Sequence, residues 1–340
     1  MSNIEWTQQT WNPTVGCTPV SPGCLNCYAA TMARRLEAMG KPEYAPREVP
    51  DNTGPFVSYT TPGKTKTIRI AEVKAGRAVF TGEVRCVPER LQIPLRRRKP
   101  TVFFVDSMSD LFHKDVPFEF VDRCFAVMAL CPQHTFQVLT KRPERMAEYF
   151  SRGGVGIGAL SAMAELAPKG MTMDQTCLNI VGGAWRLPNV WLGTSVEDQT
   201  RADERIPHLL RCPAAVRFLS VEPMLGPVDL SAFFGGQYVG LPGDVVHPNY
   251  NFGIGWVICG GESGPNARPL ELAWVRPLRD RCRAAGVPFF MKQLGALVHY
   301  TIDQDGGKYF QRTKARKGGD MSEWPADLRV REMPRTGAAT

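Results

Sequence analysis

Residues 101–112 read TVFFVDSMSDLF. The run Thr101–Val105 is almost wholly apolar and does not alternate. It gives way at once to Asp106, Ser107, Ser109 and Asp110. A short unbroken apolar run is how a strand buried on both faces reads. The same change recurs along the chain. Thr135–Leu139 precedes Thr140, Lys141 and Arg142, and Val190–Gly193 precedes Ser195 and Glu197. Val216–Leu219 precedes Ser220 and Glu222, and Trp256–Cys259 precedes Gly260, Gly261 and Glu262. Val287–Met291 precedes Lys292 and Gln293.

Helical patterns lie between these runs. They cover 117–132, 201–213 and 271–286, the last closed by Gly286 as a C-terminal stop. Strand and helix repeated in this way predict a parallel sheet with right-handed crossovers. Six or seven such units predict an α/β fold: a single, partial TIM-type barrel of parallel strands with surrounding helices. In such folds the site lies where the strands end, so six polar strand ends in register mark one rim. The segments 41–78, 151–180 and 231–253 read as loop insertions on one domain spanning 1–340, and 303–340 as a basic extension. "GGVGIG" (153–158) follows no clear strand and lacks the Lys-Ser/Thr ending of a phosphate loop, so it reads as a flexible loop. Met32, Met39 and Met128 occupy apolar helical positions and read as core, and His113 as a hydrogen-bonded structural residue.

The chain has 340 residues and a net charge of +8, from 41 basic and 33 acidic side chains. That balance favours an anionic partner such as nucleic acid. The basic runs are "RRRKP" (96–100), read as a helix end before a strand, and "RTKARKGG" (312–319), read as a phosphate-contact candidate. No apolar run approaches the roughly 18 residues of a membrane span, and the first residues lack the charge and apolar core of a signal peptide. The expected location is cytoplasmic, in a bacterium or phage-infected host, with no membrane partner. Thiols there stay reduced, so clustered cysteines read as metal-binding or catalytic.

Three of the ten cysteines cluster in "NPTVGCTPVSPGCLNCYAA" (12–30): Cys17, Cys24 and Cys27. Three thiolates can hold a structural zinc with a distant fourth ligand, a catalytic zinc with an open position, or an iron–sulfur cluster. No paired histidines or second Cys-x-x-Cys supply an evident fourth ligand. Cys124 and Cys131 share a helical face, and Cys86, Cys177, Cys212, Cys259 and Cys282 stand alone, as buried free cysteines do. Pro and Gly shape the loop, and Tyr28–Met39 reads as a helix stopped by Gly40.

The loop resembles the cluster loop of radical S-adenosylmethionine (SAM) enzymes, with six residues instead of three in the first gap. Over a longer span the chain resembles a phage and prophage family of unknown function that carries this three-cysteine motif. The likeness is carried by WNPTVGCTPVSPGCLNCYA, FTGEV, VDSMSDLFHKDVP, LTKRPER, WLGTSVEDQ, SVEPMLGP, WVICGGESGPNARP, GVPFFMKQLG and KGGDMSEWPADLRVR, from near residue 4 to near residue 333. The barrel and cluster arrangement are distantly similar to those of spore photoproduct lyase.

The resemblance implies a [4Fe–4S] cluster on Cys17, Cys24 and Cys27, with SAM on the fourth iron and an external electron donor. Reductive cleavage of SAM would give a 5′-deoxyadenosyl radical acting on a nucleic acid or nucleotide. By position, Ser107, Ser109 and Asp110 suit the SAM ammonium, Lys141 or Arg142 its carboxylate, and Ser195 and Glu197 its ribose. Arg142, Glu222, Glu262, Arg268, Lys292 and Gln293 are left to face substrate. Two other classes remain. One is a zinc-stabilised nucleic-acid-binding protein without catalysis, the other an iron–sulfur redox partner or scaffold. Oligomeric state is not legible.

Overall fold

Seven strands form one all-parallel sheet in chain order. They are β1 (Gln9–Trp11), β2 (Val102–Val105), β3 (Thr135–Thr140), β4 (Val190–Ser195), β5 (Val216–Val221), β6 (Trp256–Gly260) and β7 (Phe289–Gln293). Each pairs in parallel with the next. Among the described residues β1 and β7 are the two edges. The sheet curls into a half-barrel surrounded by helices. The computed structural model describes residues 4–50, 65–152, 155–167, 187–235, 253–301, 308–315 and 317–334.

The helices are α1 (Tyr28–Ala38), α2 (Gln92–Arg96), α3 (Phe118–Leu130), α4 (Pro143–Ser151), α5 (Val155–Leu166), α6 (Gln199–Leu210) and α7 (Leu272–Ala284). No described helix is long and apolar enough to cross a membrane. Glycines end α1 and α7 by left-handed backbone: φ is +70° at Gly40 and +66° at Gly286.

Several details differ from the sequence reading. The strands β3 to β7 run on into the polar residues, so Thr140, Ser195, Ser220, Gly260, Lys292 and Gln293 lie inside them. The first strand, Gln9–Trp11, was not expected. It has only three residues and carries no apolar run. The last strand starts at Phe289 rather than Val287, because Pro288 has no N–H to give the ladder; its carbonyl still accepts from Val257 N (3.1 Å). The expected flexible loop at 153–158 gives way to α5, which starts at Val155 inside the motif. A Cβ on Gly158 would stand 2.4 Å from the Asp122 carboxylate, so the bare glycine lets α5 lie close to α3. Finally, Met128 is buried but Met32 and Met39 are exposed. The buried face of α1 consists of Ala29, Ala30 and Ala33, while Met32 lies off that face and Met39 caps the helix end. The insertion at 231–253 and Cys177 lie largely or wholly outside the described residues.

Alternate strand residues build two cores. Phe103, Phe136, Leu192, Leu219, Val257 and Phe289 pack with the helices. The intervening positions form a separate cluster of Phe104, Trp191, Phe218, Trp256, Ile258 and Phe290, joined by Trp6 from the N-terminal segment. The ring centres of Trp6 and Phe104 are 4.7 Å apart, and those of Trp191 and Trp256 are 5.8 Å apart. These aromatics fill the concave face below the polar strand ends.

Gly193 is what lets the layer close. A Cβ there would lie 2.6 Å from the Phe218 ring. Gly193→Ala should therefore cost about 1–3 kcal/mol by overpacking, read from urea denaturation. A smaller side chain in Phe218→Leu should recover part of that loss in the double variant. Strictly additive losses would contradict this contact.

Candidate functional site

After β1 the chain crosses the rim where the other strands end. Thr14–Val15 pairs antiparallel with Arg85–Cys86. Gly16 then turns at φ +91°, in a place where a Cβ would lie 2.0 Å from the Glu83 carbonyl oxygen. Pro22–Cys24 forms one 3-10 turn, and Cys27 caps the start of α1. Backbone N–H groups of Ala29 and Ala30 face the Cys27 sulfur. Cys17, Cys24 and Cys27 are all half-buried.

The strand ends are tied to this loop one after another. Beyond β2, Ser109 Oγ donates to the Gly16 carbonyl (2.7 Å) and accepts from Thr14 Oγ1 (2.7 Å). The Ser107 carbonyl accepts from Tyr28 OH (2.8 Å), and buried His113 bonds Thr18 Oγ1 through Nε2 (2.7 Å). Beyond β3, Arg142 donates to the Thr18 carbonyl (2.7 Å) and lies 3.6 Å from Cys17 Sγ. Beyond β4, Glu197 accepts from Ser21 Oγ (2.7 Å), from Arg205 (3.1 Å) and from Lys141. Gly23 sits directly on it, since a Cβ there would be 2.5 Å from Glu197 Oε1. Beyond β6, Glu262 accepts from Asn26 Nδ2 (2.8 Å) and from Arg268 through its backbone N (2.9 Å) and two guanidinium nitrogens (2.6 and 3.0 Å).

Several residues singled out in the sequence are thus fully engaged. Asp110 accepts from Phe112 N, Thr140 Oγ1, Lys141 N and Arg142 Nη1, four donors at 2.7–3.0 Å for two oxygens. It fixes Arg142 against Cys17. Ser107 Oγ donates to Asn12, and the Ser195 carbonyl accepts from Arg205. Gln293 donates to the Gly261 carbonyl. Glu222 and Lys292 stand apart. They pair with each other at 2.7 and 2.8 Å, partly exposed, and among the described residues neither side chain hydrogen-bonds to the loop, although the Glu222 charge reaches Tyr28. Ser21, Asn26, Tyr28 and Arg205 were not visible as site residues in the sequence. The partners of Ser21, Asn26 and Tyr28 lie 176, 236 and 79 positions away, and only the proximity of these three to the cysteines hinted at a role, whereas Arg205 pairs within the same segment, eight positions from Glu197.

The charges follow from burial and pairing. Burial pushes the Cys17 thiol up to about 12, the nearby Asp110 charge adds to this, and Arg142 offsets part of it. Burial also raises Cys27, against the N–H groups of α1. Burial alone would raise Glu197, but Lys141 and Arg205 hold it below the usual carboxylate range. The hydrogen bonds from Arg268 do the same for buried Glu262.

The loop therefore presents three soft donors, close enough for their charges to interact, on one short segment. Among the described residues, no group of three His, Cys, Asp or Glu side chains is arranged to hold a metal ion.

A family model described as "Protein of unknown function (DUF5131)" matches residues 1–325. The chain belongs to that family. No curated protein and no solved structure matches it. In this DUF5131 member, the matched span contains all six strand ends and the cysteine loop.

Asp106, at the end of β2, has φ +57° and is buried. One carboxyl oxygen accepts from Thr14 N (3.1 Å), and the other has no partner among the described residues. Burial raises its pKa to about 8. Between the ordinary carboxyl value and about 8, the folded chain keeps a proton that the unfolded chain has released. Stability should fall as pH rises through that window. Asp106→Asn should abolish this component, so that urea midpoints diverge most near pH 8–9 and converge near pH 4. Parallel profiles for the two proteins would contradict the assignment.

Proposed function

We propose that this protein is a radical SAM enzyme built on a partial TIM-type barrel. In this reading Cys17, Cys24 and Cys27 hold a [4Fe–4S] cluster, and the reaction acts on a nucleic acid or nucleotide in the cytoplasm. The observation that carries the reading is the three-thiol loop pinned across the carboxyl rim, beside the partly exposed ion pair of Glu222 and Lys292.

The donor set suits a cluster. A tetrahedral structural zinc needs four donors around one point, and the loop carries three thiols with no described fourth. A four-iron cluster takes one thiolate per iron, so three thiols leave one iron for a small molecule. A cluster held by these three thiols, with SAM on its open iron, would supply reductive cleavage of SAM and so a radical able to remove hydrogen from a substrate.

The chain's own residues then have these tasks. The start of α1 and Arg142 set positive potential beside the sulfurs, which favours thiolates and a net negative core. Loading must drive the proton from Cys17, whose buried thiol holds it tightly. Glu222 is matched to an ammonium and Lys292 to a carboxylate, the two charged ends of SAM. Asp110, Ser109 and Glu197 act through the loop, keeping the thiols in place. Lys141, Ser107 and Ser195 support the same layer. Glu262 and Arg268 fix the far end of the loop, facing substrate. The aromatic layer below closes the concave face to water, which protects a reactive species formed at the rim.

The phage family likeness, the distant similarity to a DNA-repair enzyme and the net charge of +8 support the nucleic-acid assignment. An external electron donor completes the requirement.

Anaerobic reconstitution with iron and sulfide, followed by reduction with SAM present, tests the reading. The expected result is about four irons per chain and release of 5′-deoxyadenosine, both lost in Cys17→Ser, Cys24→Ser or Cys27→Ser. Stoichiometric zinc without SAM cleavage would sink it. Glu222→Gln and Lys292→Gln should each weaken SAM binding by about tenfold or more, the scale of one lost charged hydrogen bond. Iron content should stay unchanged.

A further inference from the structure

A second surface grows from the same rim. After β7 the chain runs through Gly295 into a hairpin, Leu297–Thr301 with Lys308–Arg312, in antiparallel register. Its root is fastened to the site. Ala296 N donates to the Glu262 carbonyl (2.8 Å), Thr313 Oγ1 to the Gly295 carbonyl (2.9 Å) and Leu294 N to the Gly318 carbonyl (2.9 Å). A Cβ on Gly318 would lie 2.1 Å from the Gly295 oxygen, so the basic segment after the hairpin lies flat on the rim.

The second hairpin strand is an edge and carries an unusual surface. Phe310 is 53% exposed although it is a large apolar ring. It stacks on buried His299, its cross-strand partner, with ring centres 4.6 Å apart and planes 17° from parallel. One face of Phe310 is thus backed by the protein and the other is open. Arg312 shares its side of the strand by the two-residue alternation. Arg312, Lys314 and Lys317 are exposed, and among the described residues none forms an ion pair. The carboxylate nearby, Glu323, is bound to the backbone N–H groups of Lys314 and Ala315. Tyr309 is also exposed, but it points to the opposite side, where it meets Tyr300.

We infer that this arm is a binding site for single-stranded nucleic acid, with a base stacked on the open face of Phe310 and phosphates on Arg312, Lys314 and Lys317. An aromatic platform flanked by unpaired cations is the chemistry such strands recognise. The inference rests on the nucleic-acid half of the function proposed above and names the surface that delivers the strand to the rim.

Binding of labelled oligo-dT and oligo-U by the full chain, measured by fluorescence anisotropy over about 50–200 mM salt, tests it. Phe310→Ala should weaken binding about tenfold or more, Phe310→Tyr should retain it, and Tyr309→Ala should change it less than about twofold. Replacing Arg312, Lys314 and Lys317 together by Gln should reduce the slope of log affinity against log salt by about 2. The inference is overturned if Phe310→Ala and Tyr309→Ala behave alike, if the slope is unchanged, or if duplex DNA binds as tightly as single strands. It is also overturned if the variants alter only self-association in sedimentation. Thermal unfolding of each variant keeps loss of fold apart from loss of binding. Normal SAM cleavage with unaltered binding in the variants removes the arm alone. Arm-dependent binding without SAM cleavage removes the radical reading alone.

Discussion

The buried carboxylate of Glu197 is the constraint on which the site depends. It has no exposed surface, and a charge so placed must be paired or it destabilises the fold by several kcal/mol. Its partners come from three places: Lys141 beyond β3, Arg205 on α6 and Ser21 in the cysteine loop. Satisfying Glu197 therefore requires the loop to lie down on the rim, and Gly23 is bare where it does so. The same logic repeats at Asp110 with Arg142 and at Glu262 with Asn26. The loop is held by the electrostatic needs of the barrel more than by its own packing.

The sheet order explains why such a rim exists. Seven parallel strands that neighbour each other in chain order are connected by crossovers of one hand, which places the connecting helices on one face. The other face must be covered by the strands' own side chains. Curling brings those side chains together, and the aromatic layer around Trp256 fills the concavity. The polar residues that follow lie beyond this layer, at the rim. Strand ends and loop then meet at one level: charged side chains from three strand ends, and polar groups from a fourth, reach one short segment.

The main-sheet architecture was legible because apolar runs such as 101–105 and 216–219 bury both faces and leave a composition signal. Gln9–Trp11 left none, since two of its three residues are polar and its pairing with β2 is decided by tertiary contacts. The strand-end residues were legible as a set for the same positional reason. What they touch was not. Ser21 and Glu197 are 176 positions apart, and Asn26 and Glu262 are 236 apart. No local pattern encodes such pairs. Asp110 illustrates the difference: its position marks it as a rim carboxylate, yet only the fold reveals that four donors already occupy it.

The wide spacing between Cys17 and Cys24 acquires a physical reason from these contacts. Thr18 takes a hydrogen bond from Arg142 beyond β3 and bonds His113 beyond β2. Ser21 gives one to Glu197 beyond β4. The added residues are thus the stretch that crosses from one strand end to the next, roughly one strand spacing of about 4.8 Å at a time. A three-residue gap would bring Cys24 back toward Cys17 before the chain had reached Glu197, leaving that carboxylate short of a donor. The loop length is set by the rim it spans. A shortened loop should then fail first in the fold around Glu197 and only second in its chemistry.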